Sequence, residues 1–210
     1  MKLTKYEHAC FTVEKDNRII VVDPGAFSTD FDPTTPIDAV IITHQHADHF
    51  SLDILTAMHT SNPEILILAD QSVVSQLPDY HTKAVTAGDK LAVAGFSLDF
   101  YGGIHAEIHH TMPLIPNVGV MIDSLLYYPG DSFALPDQPV DTLALPAAAP
   151  WMKVSEAIDF LSNIKPRLAF PTHDAILSDT GKQVNDSMFA HAASSIGSIY
   201  QRLNEPIQIK

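Results

Sequence analysis

Three histidines and a carboxylate fall within six residues in the stretch Thr43-His44-Gln45-His46-Ala47-Asp48-His49, although the whole chain of 210 residues has only 11 histidines. The apolar, β-branched run Ala39-Val40-Ile41-Ile42-Thr43 leads straight into this cluster, so the imidazoles are delivered from the C-terminal end of a strand. His44 and His46 are two apart, which on an extended segment puts both rings on one face, while Asp48 and His49 turn back from the start of the next segment. Neutral imidazole and carboxylate are donors that divalent transition metals accept. The stretch therefore reads as half of a metal site, and any fold proposed for the chain must bring the other half to it.

The surrounding pattern is α/β. Ala9–Val13 and Arg18–Asp23 read as a hairpin around Lys15-Asp16-Asn17 and end at Asp23-Pro24-Gly25. After the cluster, residues 51–58 and 71–77 read as helices, and residues 65–69 and 83–87 as strands. Leu91–Val93 and Ser97–Tyr101 should pair around Gly95, with Gly102-Gly103 as a hinge before His105. Val118–Asp123 and Leu125–Tyr128 form a second hairpin, stopped by Pro129-Gly130-Asp131-Ser132. Thr142–Leu145 and Arg167–Phe170 are strands on either side of an amphipathic helix, Lys153–Ile164. Val184, Met188, Ala192, Ile196, Ile199 and Leu203 predict one long C-terminal helix.

Three strand ends thus carry ligand-type residues besides the cluster: His105, Asp131 and His173. Alone, each is an ordinary cap or turn residue. Joined to His44, His46, Asp48 and His49, they make a set suited to two ions about 3.5–4 Å apart, bridged by one carboxylate.

Composition narrows the rest. The length suits a single domain over residues 1–210, with 46% hydrophobic residues to fill a core. A lone cysteine, Cys10, excludes an internal disulfide framework and takes no assigned role. The formal charge of −13 argues against a nucleic-acid or anionic-membrane surface, which leaves a small-molecule substrate as the expected partner. Residues 1–8 lack the apolar run of a signal peptide and no stretch has the length of a membrane span, so the expected compartment is cytoplasmic.

The series His44-x-His46-x-Asp48-His49, a later His, an Asp in a Gly-Asp pair after a strand, and a final His after another strand resembles the metallo-β-lactamase superfamily. Asp23-Pro24-Gly25, Tyr128-Pro129-Gly130-Asp131-Ser132 and Pro171-Thr172-His173-Asp174 look most like its lactonase-like, metal-dependent hydrolase branch. The resemblance runs from the first hairpin to His173. It implies an α/β (α+β layered) fold, a four-layer αββα sandwich with the site along one edge. It further implies that His44, His46 and His105 hold one divalent ion, that Asp48, His49 and His173 hold the other, and that Asp131 bridges. His109 and His110 are the alternatives to His105. The ions would be zinc foremost, with manganese, iron or nickel also suited, and would activate a hydroxide against an ester, lactone, amide, thioester or phosphodiester. Asp48 would orient the hydroxide or shuttle a proton. The other readings are a phosphodiesterase or nuclease of the same fold and a non-catalytic metal-binding protein. His8, His109 and His110 could face substrate, Trp151 could floor a pocket or simply pack, and Asp174 could orient the His173 ring.

Overall fold

Short β-branched runs separated by tight turns give this chain most of its strands. In the computed structural model, which describes Met1–Lys210, the first three are β1 (Lys2–Lys5), β2 (Phe11–Lys15) and β3 (Arg18–Val22). Lys15 pairs with Arg18 across the two-residue turn Asp16-Asn17, whose φ values of 52° and 60° are those a primed hairpin turn requires. Next come β4 (Ala39–Ile42), α1 (Leu52–Ser61), β5 (Leu66–Ala69), α2 (Gln71–Val74), β6 (Thr82–Ala84), β7 (Lys90–Val93), β8 (Phe96–Ile104), β9 (Pro116–Ile122) and β10 (Leu126–Tyr128). The last part of the chain forms β11 (Thr142–Pro146), α3 (Val154–Ile164), β12 (Leu168–Thr172), α4 (Asp179–Ser195), β13 (Ile199–Tyr200) and β14 (Ile207–Gln208).

The strands build two seven-stranded sheets, ordered β14-β1-β2-β3-β4-β5-β6 and β13-β12-β11-β10-β9-β8-β7. The two have the same layout. Strands β3 to β6 of one and β10 to β13 of the other run parallel, while the remaining pairs are antiparallel. The sheets face each other across a core that includes Phe11, Phe100, Tyr128 and Phe170, with the Phe11 ring edge-on to both Tyr128 and Phe170. Helix α1 and the short α2 cover the outside of the first sheet through Leu55, Met58 and Val73, and α3 and α4 cover the second through Phe160, Leu161 and Phe189. This is the expected αββα sandwich. It also explains the unbroken apolar run of β4, in which Ala39 and Ile41 face the inter-sheet core and Val40 and Ile42 face the helices.

Several boundaries differ from the sequence reading. Helix α4 stops at Ser195 because Gly197 turns left-handed at φ 77°, and Ile199 then pairs with Leu168 as a strand residue. Its apolar spacing past Ser195 is thus strand and loop, not helix. Helix α2 is a single turn, and β8 keeps its pairing through Gly102 and Gly103, at φ 86° and 135°, to end one residue before His105. The outer strands β1 and β14 are short and carry little apolar signal, so alternation alone does not announce them. No helix is long and apolar enough to cross a membrane.

One close approach locks the site loops. A Cβ built on Gly25 would lie 1.9 Å from the Asp48 carbonyl oxygen and 2.4 Å from the His49 nitrogen, and the Ala26 N–H donates to the Ala47 carbonyl at 2.7 Å. Backbone meets backbone here, so no side chain can swing aside. Gly25→Ala should lower unfolding free energy by more than about 3 kcal/mol, beyond the usual overpacking range, as read from the denaturant midpoint. Cys10 gives a second check. It is 0% exposed, and burial pushes its thiol up, away from the reactive thiolate. Native protein at pH 8 should resist alkylation that goes to completion in denaturant, and equally rapid labelling of both would contradict this packing.

Candidate metal centre

The loops after β4, β8, β10 and β12 converge at one edge of the sandwich, and a short set of bonds fixes them. The Val118 N–H of β9 donates to the Thr43 carbonyl at 2.9 Å and ties the two sheets beside the histidine cluster. Asp23, fully buried at the end of β3, accepts from the Thr43 N–H at 2.8 Å, the Thr43 hydroxyl at 2.7 Å and His49 Nδ1 at 2.7 Å. Asn117 performs the matching task on the other sheet. Its side chain accepts from the Asp131 N–H and donates to the Pro129 carbonyl, both at 2.9 Å. Gly130 between them has φ 64°, and a Cβ there would lie 2.3 Å from Asn117 Oδ1.

These bonds also assign the ring protons. His49 Nδ1–H donates to Asp23, His105 Nδ1–H to the Ala106 carbonyl at 2.6 Å, and His173 Nδ1–H to the Ala148 carbonyl at 2.6 Å. The Thr43 hydroxyl gives its one proton to Asp23, so it accepts from His44 Nδ1, 3.0 Å away. Four imidazoles thereby spend Nδ1 on the protein and aim Nε2 inward, the outer bonding that readies histidine for a metal.

The donor atoms fall into two groups, each with all its atoms within 4.8 Å of one another: His44, His46, His105 and Asp131, and His8, Asp48, His49 and His173. The Asp131 carboxylate touches both. One oxygen lies 3.3 Å from His105 Nε2 and 3.0 Å from His173 Nε2, the other 3.3 Å from His49 Nε2. His49 Nε2, His105 Nε2 and Asp131 Oδ1 are buried with no hydrogen-bond partner. Buried polar atoms left without a partner are costly, and cations between them would remove that cost. The residues present fit a pair of divalent ions.

Protons compete with cations for these atoms. Burial holds His44 well below the usual imidazole range and lowers His46. Burial also opposes charge on His49 and His173, but the Asp131 carboxylate outweighs it, raising His49 and pushing His173 up to about 10. Asp131 and Asp48 are likewise held low by surrounding imidazoles despite their burial.

Every residue of the expected set lies in one of the two groups. His109 and His110 are exposed and belong to neither, and His109 Nδ1 instead bonds Thr111. Asp174 does not orient the His173 ring. It pairs with Arg202, and the Ala148 carbonyl takes the ring proton. Trp151 both packs and bonds, lying edge-on to Phe133 while its Nε1–H donates to Asp131 at 2.7 Å. Sequence reasoning missed the anchoring roles of Asp23 and Asn117. An acid closing the apolar β3 was a usable signal for the first, whereas nothing in the sequence marks the second. A cavity of about 100 Å³ opens at His46 and His105, lined also by Ile108, Met112 and Leu114. A larger concavity of about 640 Å³ beside Asp70, Thr86 and Pro116 includes none of the donors, so donor geometry and not volume locates the centre.

The chain is similar to known proteins along nearly its whole length. Mycobacterium tuberculosis protein Rv0786c is 38% identical, with 88% of this chain and 89% of that protein covered. The UPF0173 metal-dependent hydrolase NEQ378 of Nanoarchaeum equitans is 24% identical over 82% of this chain and 83% of its own. Among solved structures, the metallo hydrolase Igni18 of Ignicoccus hospitalis superposes with a TM-score of 0.77 at 19% identity, covering 100% of this chain and 99% of that one. Residues 2–173 match the family model described as the beta-lactamase superfamily domain, and with this fold and this convergence of imidazoles and carboxylates the chain belongs to that superfamily.

Proposed function

We propose that this metal-dependent hydrolase works with two divalent ions, one held by His44, His46 and His105 and the other by Asp48, His49 and His173, with Asp131 shared between them. Its substrate would be a small-molecule ester, lactone, amide or phosphodiester. The observation that carries this reading is the Asp131 carboxylate, buried and within 3.3 Å of Nε2 atoms from both donor groups. When bound, such ions lower the pKa of water and polarise the oxygen of the bond to be cleaved.

The chain supplies the rest. His44, His49, His105 and His173 are anchored through Nδ1, so their Nε2 atoms need no reorganisation to bind. Asp48 is only half-buried, which leaves its carboxylate at the solvent side, where it can orient an attacking water and take its proton. Ile108, Met112 and Leu114 give the cavity beside His46 an apolar wall for the uncharged part of a substrate. Zinc suits the nitrogen-rich donor set first, and manganese, iron or nickel suit it as well. A polynucleotide is disfavoured by the formal charge of −13, because phosphate backbones are bound through clustered positive charge.

Exhaustive chelation should reduce turnover of a generic ester or phosphodiester at least about 100-fold, and added Zn²⁺ or Mn²⁺ should restore it. Asp131→Ala should lose bound metal and activity together, and His46→Ala should lose most of both, as read by elemental analysis and initial rates. Full activity after chelation would sink the mechanism. A protein that binds two ions yet hydrolyses nothing across a broad substrate panel would favour the non-catalytic metal-binding reading.

A further inference from the structure

His8 stands outside the ligand set proposed above, yet its ring is completely buried at the edge of the centre, with the His173 ring 4.2 Å away and Phe27 at 5.1 Å. The chain holds it there in an uncommon way. His8 has φ 58°, a left-handed conformation that few non-glycine residues adopt. Its carbonyl accepts from the Lys5 ammonium at 2.7 Å and from the His173 N–H at 3.1 Å. Backbone in this state, fixed from two directions, marks a side chain whose placement is constrained.

The ring's bonds define its role. The Ala175 N–H donates to His8 Nδ1 at 3.3 Å, so that nitrogen supplies a lone pair and carries no proton. The single proton of the neutral ring therefore sits on Nε2, 2.9 Å from Asp48 Oδ2, which can only accept. A protonated Nε2 has no lone pair for a cation, although it lies among the donor atoms of the second group. His173 cannot hold Asp48 this way once its Nε2, 3.3 Å from the same carboxylate, is given to an ion, because its Nδ1–H goes to Ala148.

We infer that His8 is a positioning residue and not a fourth ligand: its Nε2–H holds the Asp48 carboxylate in the orientation that completes the ion site formed with His49 and His173. The inference rests on the two-ion reading. Carboxylates that bind metals are commonly steadied by such outer bonds, and losing one costs about 10–100-fold in affinity.

Two measurements test it. Long-range ¹H–¹⁵N spectra of the zinc-loaded wild type should show His8 with its proton on Nε2, and an ion-bound or unprotonated Nε2 would overturn the assignment. Equilibrium dialysis with zinc, read by elemental analysis, should give two ions for the wild type. His8→Ala should weaken one of them by about 10–100-fold and leave the other unchanged. His8→Gln, whose amide N–H still reaches Asp48, should recover most of the loss. Gln as weak as Ala, or Ala equal to wild type, would defeat the positioning role while leaving the two-ion reading intact. A wild type that takes fewer than two ions would defeat both. If His8→Ala fails to fold, the Gln variant and the wild-type spectrum decide.

Discussion

A carboxylate sealed in the interior is costly unless opposite charge and hydrogen bonds surround it. Asp131 is such a group, 2% exposed, with Nε2 atoms of His49, His105 and His173 within 3.3 Å and the Trp151 indole donating to it. Much of the local architecture serves to hold it. The left-handed Gly130 turns the chain after β10, Asn117 bonds both sides of that turn, and Trp151 is braced by Phe133. The imidazoles and the carboxylate form one cluster in which His49 Nε2, His105 Nε2 and Asp131 Oδ1 still lack a hydrogen-bond partner, the place a cation would take.

Rigidity comes from the diversity of the anchors. The Nδ1 protons of His44, His49, His105 and His173 go to a hydroxyl, a carboxylate and two backbone carbonyls on separate segments. No single loop movement can release all four. Conformational entropy that a flexible cluster would lose on taking a cation has already been lost in folding.

The sequence made the ligand-type residues legible because they combine two strong signals, a donor side chain and a position just after an apolar strand. Structure brings His44, His46, Asp48, His49, His105, Asp131 and His173 together at one edge. Secondary structure was legible where β-branched runs or helical spacing were long, as in β3, β4 and α3. It failed in α4, where Ile199 and Leu203 continue the helical spacing past a turn that only the left-handed Gly197 imposes. Side-chain anchoring was the least legible. Asp23 and His49 are 26 residues apart, Asn117 and Asp131 are 14, and His8 and Asp48 are 40. No local pattern encodes such bonds. Asp174 shows the converse, since adjacency to His173 suggested a contact that Arg202 claims instead.

The matching layout of the two sheets bears on how the centre and the fold depend on each other. His44, His46, Asp48 and His49 hang from the first sheet, and His105, Asp131 and His173 hang from the second, so each donor group draws on both. Neither sheet alone carries a complete site. A cation bound in either group would be a rivet through the seam, and the free energy of its binding would add to the free energy that keeps the two halves aligned. Slippage by a fraction of a strand spacing would unmake both groups at once, which makes metal occupancy a gauge of how well the halves of the sandwich are mated.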